Sequence, residues 1–278
     1  MSHVASRTSK LANTQSVALY MIAALVLAAA LAPLIAPFAV DALDLAHRRA
    51  APSAGHWFGT DELGRDLLTR VLFGARVSLA IGLISAGVSV LIGVLVGATA
   101  GFFGGRTDDI LMRTTDAVLC MPRLPLLMIV AAFTRPSVPL LVLLVGAVGW
   151  METARVVRAA VQSLAQRDFV AAARALGASS GRLVWRHVLP GALPVIVVAT
   201  TLAIGRGILL ESALSFFGVG VQPPTASWGN MLYQAQTTMT SEPWLAIFPG
   251  AMIFLTVMAC NAAGDAIGST RGERAASR

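Results

Sequence analysis

Charge is scarce in this chain. Of its 278 residues only 13% are charged, against about a quarter in soluble domains, while 56% are hydrophobic and the mean hydropathy is +0.74. That balance excludes an ordinary soluble domain and indicates an integral membrane protein. Lysine is almost missing: Lys10 is the only one, so arginine carries the net charge of +7. The arginines are spread over separate loops and tails rather than gathered in one patch, which argues against a nucleic-acid partner and makes them a topology signal. Cysteine is limited to Cys120 and Cys260, both inside apolar runs. Neither a disulfide framework nor a metal site is expected from them, and His3, His47, His56 and His187 show no ligand spacing along the chain. No Gly-x-x-x-x-Gly-Lys-Ser/Thr phosphate loop occurs, so nothing in the chain is suited to ATP hydrolysis, and no catalytic residue is assigned.

Long apolar runs are what the sequence has in abundance. A helix crossing about 30 Å of hydrocarbon needs about 20 apolar residues, because every backbone polar group must be paired within the segment. Six such segments are expected, at 17–40, 77–105, 112–133, 139–154, 189–210 and 244–266, giving an all-α membrane protein. Residues 1–16 and 268–278 are polar tails around a membrane domain at 17–267. Pro33 and Pro37 are expected to kink the first span and Pro122 and Pro125 the third. With the N-terminus inside, the inner segments hold 13 basic residues, including Arg7, Lys10, Arg271, Arg274 and Arg278, and the outer ones hold six, including Arg135. Retention of basic loops on the inner side then places both termini in the cytoplasm. The first apolar run is too long for a cleaved signal peptide and is expected to remain as an anchor.

Four patterns stand out against this background. Ser85, Ser89, Gly93, Gly97 and Gly101 recur every four residues, forming a small-residue face that lets another helix approach closely, within this bundle or at a subunit interface. Residues 56–79 read as an amphipathic interfacial helix, with Thr60 as a candidate N-cap and Asp61/Arg65 and Asp66/Arg70 as opposite-charge pairs four apart. It is either an elbow into the second span or a contact surface for something soluble outside. Within the apolar spans, Asp116, Arg123, Arg206 and Glu211 are candidates for the transport pathway, because charge inside a bilayer is costly; structural pairing or a place near the span ends is the alternative. Asp116 and Arg123, seven apart, would share a helical face.

The fourth pattern, "RDFVAAARALGASSGRLVWRHVLP" at 167–190, is a charged stretch between two apolar spans. Phe169, Ala172, Ala173 and Leu176 form an apolar stripe, Gly177 is placed to end that helix in the left-handed conformation, Ser179 or Ser180 could cap the next helix, and Pro190 marks entry into the fifth span. A segment this short has no core of its own. It suits either a groove on a separate cytoplasmic protein or a bed of lipid headgroups.

"AAARALG" at 171–177 with "HVLP" at 187–190 resembles the cytoplasmic EAA loop of bacterial ABC importer permeases, with Ala171 standing where that pattern usually has Glu. "GTDELGRDLLTRVLFGARVSL" at 59–79, "LSFFGVGVQPPTASWGNML" at 214–232 and "NAAGD" at 261–265 are similar to the dipeptide, oligopeptide and nickel branch of that family, and to the second of its two permease subunits. The resemblance covers about residues 56–267. It implies a type I ABC importer permease fold in the bacterial plasma membrane, with a coupling loop at 163–190 in which Phe169, Ala171, Ala172, Ala173, Leu176, Gly177 and Pro190 contact the ATPase. It also implies four partners: a homologous permease, a cytoplasmic ATPase that binds ATP and Mg2+, an extracytoplasmic substrate-binding protein and the lipid bilayer. This chain itself would bind no cofactor. Peptide is the expected cargo, with nickel complexes, haem or glutathione as alternatives within the family. A stand-alone secondary transporter or channel is the alternative outside it, and such a carrier has no need of a docking loop.

Overall fold

The computed structural model describes the backbone of residues 2–134 and 137–276 and the side chains of 16–134 and 137–268. Arg135, His3 and the basic side chains of the two tails lie outside that description. The helices in chain order are α1 (Ser2–Ala30), α2 (Ala32–Ile35), α3 (Leu67–Phe103), α4 (Gly105–Leu119), α5 (Arg123–Ala132), α6 (Val138–Ala165), α7 (Asp168–Ala175), α8 (Ser180–Leu183), α9 (Leu189–Phe216), α10 (Trp228–Ala235) and α11 (Trp244–Ala276). No strand occurs among the described residues.

Four helical segments are long and apolar enough to cross a membrane: α3, α6, the continuous run Ser180–Phe216 and Trp244–Gly268 of α11. The pair α4 and α5 makes a fifth if counted as one span, and Ser16–Ala30 of α1 is a shorter apolar helix. Several expected boundaries move. The first span does not run helically to residue 40: α1 stops at Ala30, Pro33 lies in the first turn of the short α2, and α2 stops at Ile35 with Ala36, before Pro37, extended. The third span is not a kinked helix over 112–133. It breaks between Leu119 and Arg123 with a bend of 77°, because Pro122 donates no backbone N–H and disfavours helical Met121 before it. Cys120 therefore lies at the break, exposed, rather than inside a span. The fourth helix continues to Ala165, eleven residues beyond the expected end at 154.

The bundle is built around α3. Along one face, its small residues meet α6: a Cβ added at Gly93 would fall 2.6 Å from Thr153 Cβ and one at Gly101 2.6 Å from the Arg158 carbonyl oxygen, while Gly97 lies directly against the Ala154 carbonyl. Ser89 donates to the Gly146 carbonyl at 2.9 Å, so the face also supplies an interhelical hydrogen bond. The contacts advance together on both helices, hence α3 and α6 run parallel; helices this close gain dispersion contacts that lipid could not replace. On the other side, Gly82 and Ser85 meet Ile208 and Gly207 of α9, which runs antiparallel, and α11 packs on α9 through Gly205 and Gly264. The stripe is thus a seam inside this chain.

Residues 56–66 are not helical. Asp66, not Thr60, caps α3, accepting from Thr69 N at 2.8 Å. The Thr60 hydroxyl instead binds Ala50 N and the His47 carbonyl, tying two limbs of a folded loop together. Asp61 pairs with Arg65 at 2.6 Å as expected from their spacing. Arg70 turns to Asp61 at 3.4 Å rather than to Asp66, which is occupied by capping and by His56. The same loop brings Asp44, His47 and His56 close together, a grouping that spacing along the chain does not reveal.

Candidate functional site

The segment joining α6 to α9 is a short helix held on one side. Asp168 in the first turn of α7 and Arg174 in the last both suit the helix dipole. Gly177 adopts φ +82°. Around it Ala178 N binds the Ala173 carbonyl at 3.1 Å and Gly177 N the Arg174 carbonyl at 3.0 Å, the paired bonds of a Schellman helix end. Nothing lies within 4 Å of where a Gly177 Cβ would stand, so backbone conformation rather than space makes glycine suitable here. Ser179 occupies the next N-cap position, but its side chain makes no capping bond.

Val170, absent from the stripe read in the sequence, is the anchor. It is fully buried and packs with Val157 and Val161 of α6 and with Leu183 and Val188 beyond the hinge. Phe169 is 48% exposed and Leu176 89%; Ala171 and Ala172 are also exposed, and Ala173 is half-buried. The face offered outward is therefore Phe169, Ala172 and Leu176. Arg174 sits over the Phe102 ring at 5.8 Å, a second tie to α3. After α8 the helix widens into a π turn at Val184–Val188. Leu189 N reaches back five residues to the Val184 carbonyl; Pro190, which cannot donate and would crowd the carbonyl four residues before it, accounts for the widening.

The charged residues of the spans separate into two kinds. Glu211 on α9 is fully buried and accepts from Ser215 at 2.8 Å, Ser227 at 2.9 Å and Ser78 at 3.0 Å. No arginine or lysine among the described residues pairs with it. Ser78 in turn accepts from Trp228 N, and Ser215 from Val221 N, so the carboxyl group joins α3, α9 and α10 into one closed polar junction. Arg123 and Arg206 behave differently. Both bind Glu152 of α6: Arg123 Nη2 is 2.6 Å from Oε1, and Arg206 forms an ion pair with Oε2. Glu152 and Arg206 border a largely apolar cavity of about 390 Å³ between α6, α9 and α11, lined also by Val156, Pro194, Val198, Leu202 and Ile267. One carboxylate between two guanidiniums leaves a surplus positive charge, and of the two only Arg206 borders that space.

Asp116 does not share a face with Arg123, since the 77° bend separates them. It pairs with Arg155, and Asp108 pairs with Arg158 through both oxygens. Glu152, Arg155 and Arg158, three apart on α6, thus form a ladder of partners for α4, α5 and α9. Glu152 is the residue that sequence reasoning missed. Its signal was the spacing in "METARVVR", obscured by placing the end of the span at 154.

The chain matches the family model described as "Binding-protein-dependent transport system inner membrane component" over residues 89–269. It is 36% identical over 261 residues to the oligopeptide transport system permease protein OppC of Bacillus subtilis (94% of this chain, 85% of that one). To the dipeptide transport system permease protein DppC of the same organism it is 37% identical over 250 residues (90% and 78%). Among solved structures, an inward-facing form of the MetNI methionine ABC transporter is similar in fold, with TM-score 0.58 at 19% identity over 72% of this chain and 97% of that one. The family model over residues 89–269 and sequence identity over most of the chain agree: this protein belongs to the binding-protein-dependent transport system inner membrane components, the permease subunits of ABC importers, whose ATP hydrolysis resides in separate ATPases.

Proposed function

We propose that this chain pairs with a homologous permease to enclose a pathway for short peptides across the bacterial inner membrane, and that residues 163–190 dock onto a cytoplasmic ATPase. The peptide cargo is supported by the names of its relatives, oligopeptide and dipeptide permeases. Substrate is delivered by an extracytoplasmic binding protein. ATP and Mg2+ stay on the ATPase, and this chain binds no nucleotide. Both termini are cytoplasmic, a reading supported by Arg167, Arg174, Arg182 and Arg186, which lie on the segment that links the ends of α6 and α9.

The observation that carries the docking role is the presentation of α7: Val170 pins one side of a Schellman-ended helix to α6, leaving Phe169 and Leu176 unpartnered on the other. A partly exposed aromatic ring on a rigid short helix suits a hydrophobic groove on a partner. Because α7 is joined to α6 by two residues and to α9 through the Gly177 hinge, its displacement moves both helices. Glu152 and Arg206 lie on those same helices, so their ion pair breaks or forms as α6 and α9 separate or close, which is the behaviour of a gate in alternating access. Arg123 holds the broken pair α4 and α5 to this gate.

The test uses the complete importer in proteoliposomes. Gly177→Val forces a β-branched residue into the left-handed region, and Phe169→Asp puts a charge where a ring would be buried. Both should abolish peptide-stimulated ATP hydrolysis and uptake, and Phe169→Asp should release the ATPase from the purified complex while the permeases stay together. If both variants retain ATPase and transport at wild-type rates, the docking role is wrong.

A further inference from the structure

At the end of the bundle where α3 begins, Asp44, His47 and His56 each place one ligand atom within 4.8 Å of the other two. Each is held by its own local cause. Asp44 caps the 3-10 turn Leu45–His47, accepting from Ala46 N at 3.2 Å, and its Oδ2 lies 2.7 Å from His47 Nδ1. His56 comes from the opposite limb of the loop. Its Nδ1 is 2.9 Å from Oδ1 of Asp66, a buried carboxylate itself fixed by capping α3. That partner calls for the proton on Nδ1 and leaves the Nε2 lone pair free, the carboxylate-to-imidazole arrangement that orients metal-binding histidines. The ring of Phe38 stacks on His56 with centroids 4.9 Å apart and restrains its plane.

We propose that Asp44, His47 and His56 bind one divalent transition-metal ion of the Zn2+ type. Two imidazoles and one carboxylate suit Zn2+ or Ni2+, with water completing the shell, and suit Mg2+ poorly, which prefers oxygen ligands throughout. Bonds of about 2.0–2.1 Å set neighbouring tetrahedral ligand atoms about 3.4 Å apart. No two of the three ligand atoms are more than 4.8 Å apart, and small side-chain rotations of Asp44 and the exposed His47 bring them to that spacing. The bound ion joins the turn at Leu45–His47 to the limb that leads through Asp66 into α3, and so closes the loop between α2 and the bundle.

The experiment is a titration of the full-length chain, purified in detergent without a histidine tag and stripped with EDTA, with Zn2+ in competition with a chromophoric chelator. One equivalent should bind. His47→Ala and Asp44→Ala should each weaken binding at least about tenfold, and His187→Ala, on the far segment, should leave it unchanged. Saturating Zn2+ should raise the Tm of the wild type and not that of His47→Ala, a readout that stands even if a variant accumulates poorly. The site is refuted if the wild type binds no Zn2+, if His47→Ala binds it with unchanged affinity, or if about a thousandfold excess of Mg2+ displaces it as a purely acidic cluster would allow.

Discussion

Glu211 and Glu152 are the same side chain in neighbouring helices, and they illustrate two ways of keeping a carboxyl group inside a membrane bundle. Glu211 is surrounded by the hydroxyls of Ser78, Ser215 and Ser227, and no cation among the described residues pairs with it. Glu152 is clasped by Arg123 and Arg206 on the edge of about 390 Å³ of space. The first arrangement joins three helices at a fixed junction, where both carboxyl oxygens and the three serine hydroxyls have local partners. The second joins helices through charges that can part and be taken up by water or an ionic cargo. Hydropathy treats the two alike, whereas their surroundings differ in what movement they permit.

The contrast can be broken most strongly at Glu211. Glu211→Ala removes the shared acceptor of three buried hydroxyls and leaves a void, and should destabilise the chain by about 3 kcal/mol or more. Glu211→Gln, which keeps an acceptor, should be much milder. Thermal unfolding in detergent would check this, and equal losses for the two variants would deny the junction its role. Gly97→Leu acts next, at about 2–3 kcal/mol, by forcing α6 away from α3 at the Ala154 carbonyl. It should carry Glu152 from its arginines while leaving the Glu211 junction in place, so transport should fall further than the loss of folded protein explains.

Glu152→Gln sharpens the comparison from the other side. Folding should be nearly unchanged, because the group is half-exposed, but uptake by the complete importer should change by about tenfold as the gate loses its ionic latch. A variant that unfolds yet transports normally per folded molecule would make Glu152 a structural residue like Glu211. Asp116→Asn should have the smallest effect, under about 1 kcal/mol, since its pair with Arg155 is exposed on both sides.

The elements most legible in the sequence were those set by local chemistry. Gly177, placed just after a stripe of apolar residues, ends a helix in the left-handed region because it has no Cβ to clash there. The four-residue repeat of small side chains from Ser85 to Gly101 announced a close helix contact. Less legible was anything set by a distant partner. The α6 helix runs through Arg155 and Arg158 because Asp116 and Asp108 of α4 neutralise them, and a window of hydropathy stops at such charges. Asp66 displaces Thr60 as the cap of α3 because the loop before it folds back on residues 47–50, engaging the Thr60 hydroxyl elsewhere. Val170 looked like one apolar residue among several until Val157, Val161 and Leu183 enclosed it.

By itself, then, the sequence determined the membrane class, the approximate places of its apolar helices, a bend in the third span at Pro122 and Pro125, and a hinged polar helix between two spans. These follow from short-range requirements: backbone groups in lipid must pair within their own segment, proline cannot donate, and only glycine enters the left-handed region without strain. Tertiary structure alone decided that the small-residue face meets α6, that Glu152 collects two arginines while Glu211 collects three serines, and that Asp44, His47 and His56 converge from separate limbs of one loop. Those outcomes depend on which groups become neighbours once the helices pack, and the interaction of charges and hydrogen-bonding groups falls off too steeply with distance to be read from their order along the chain.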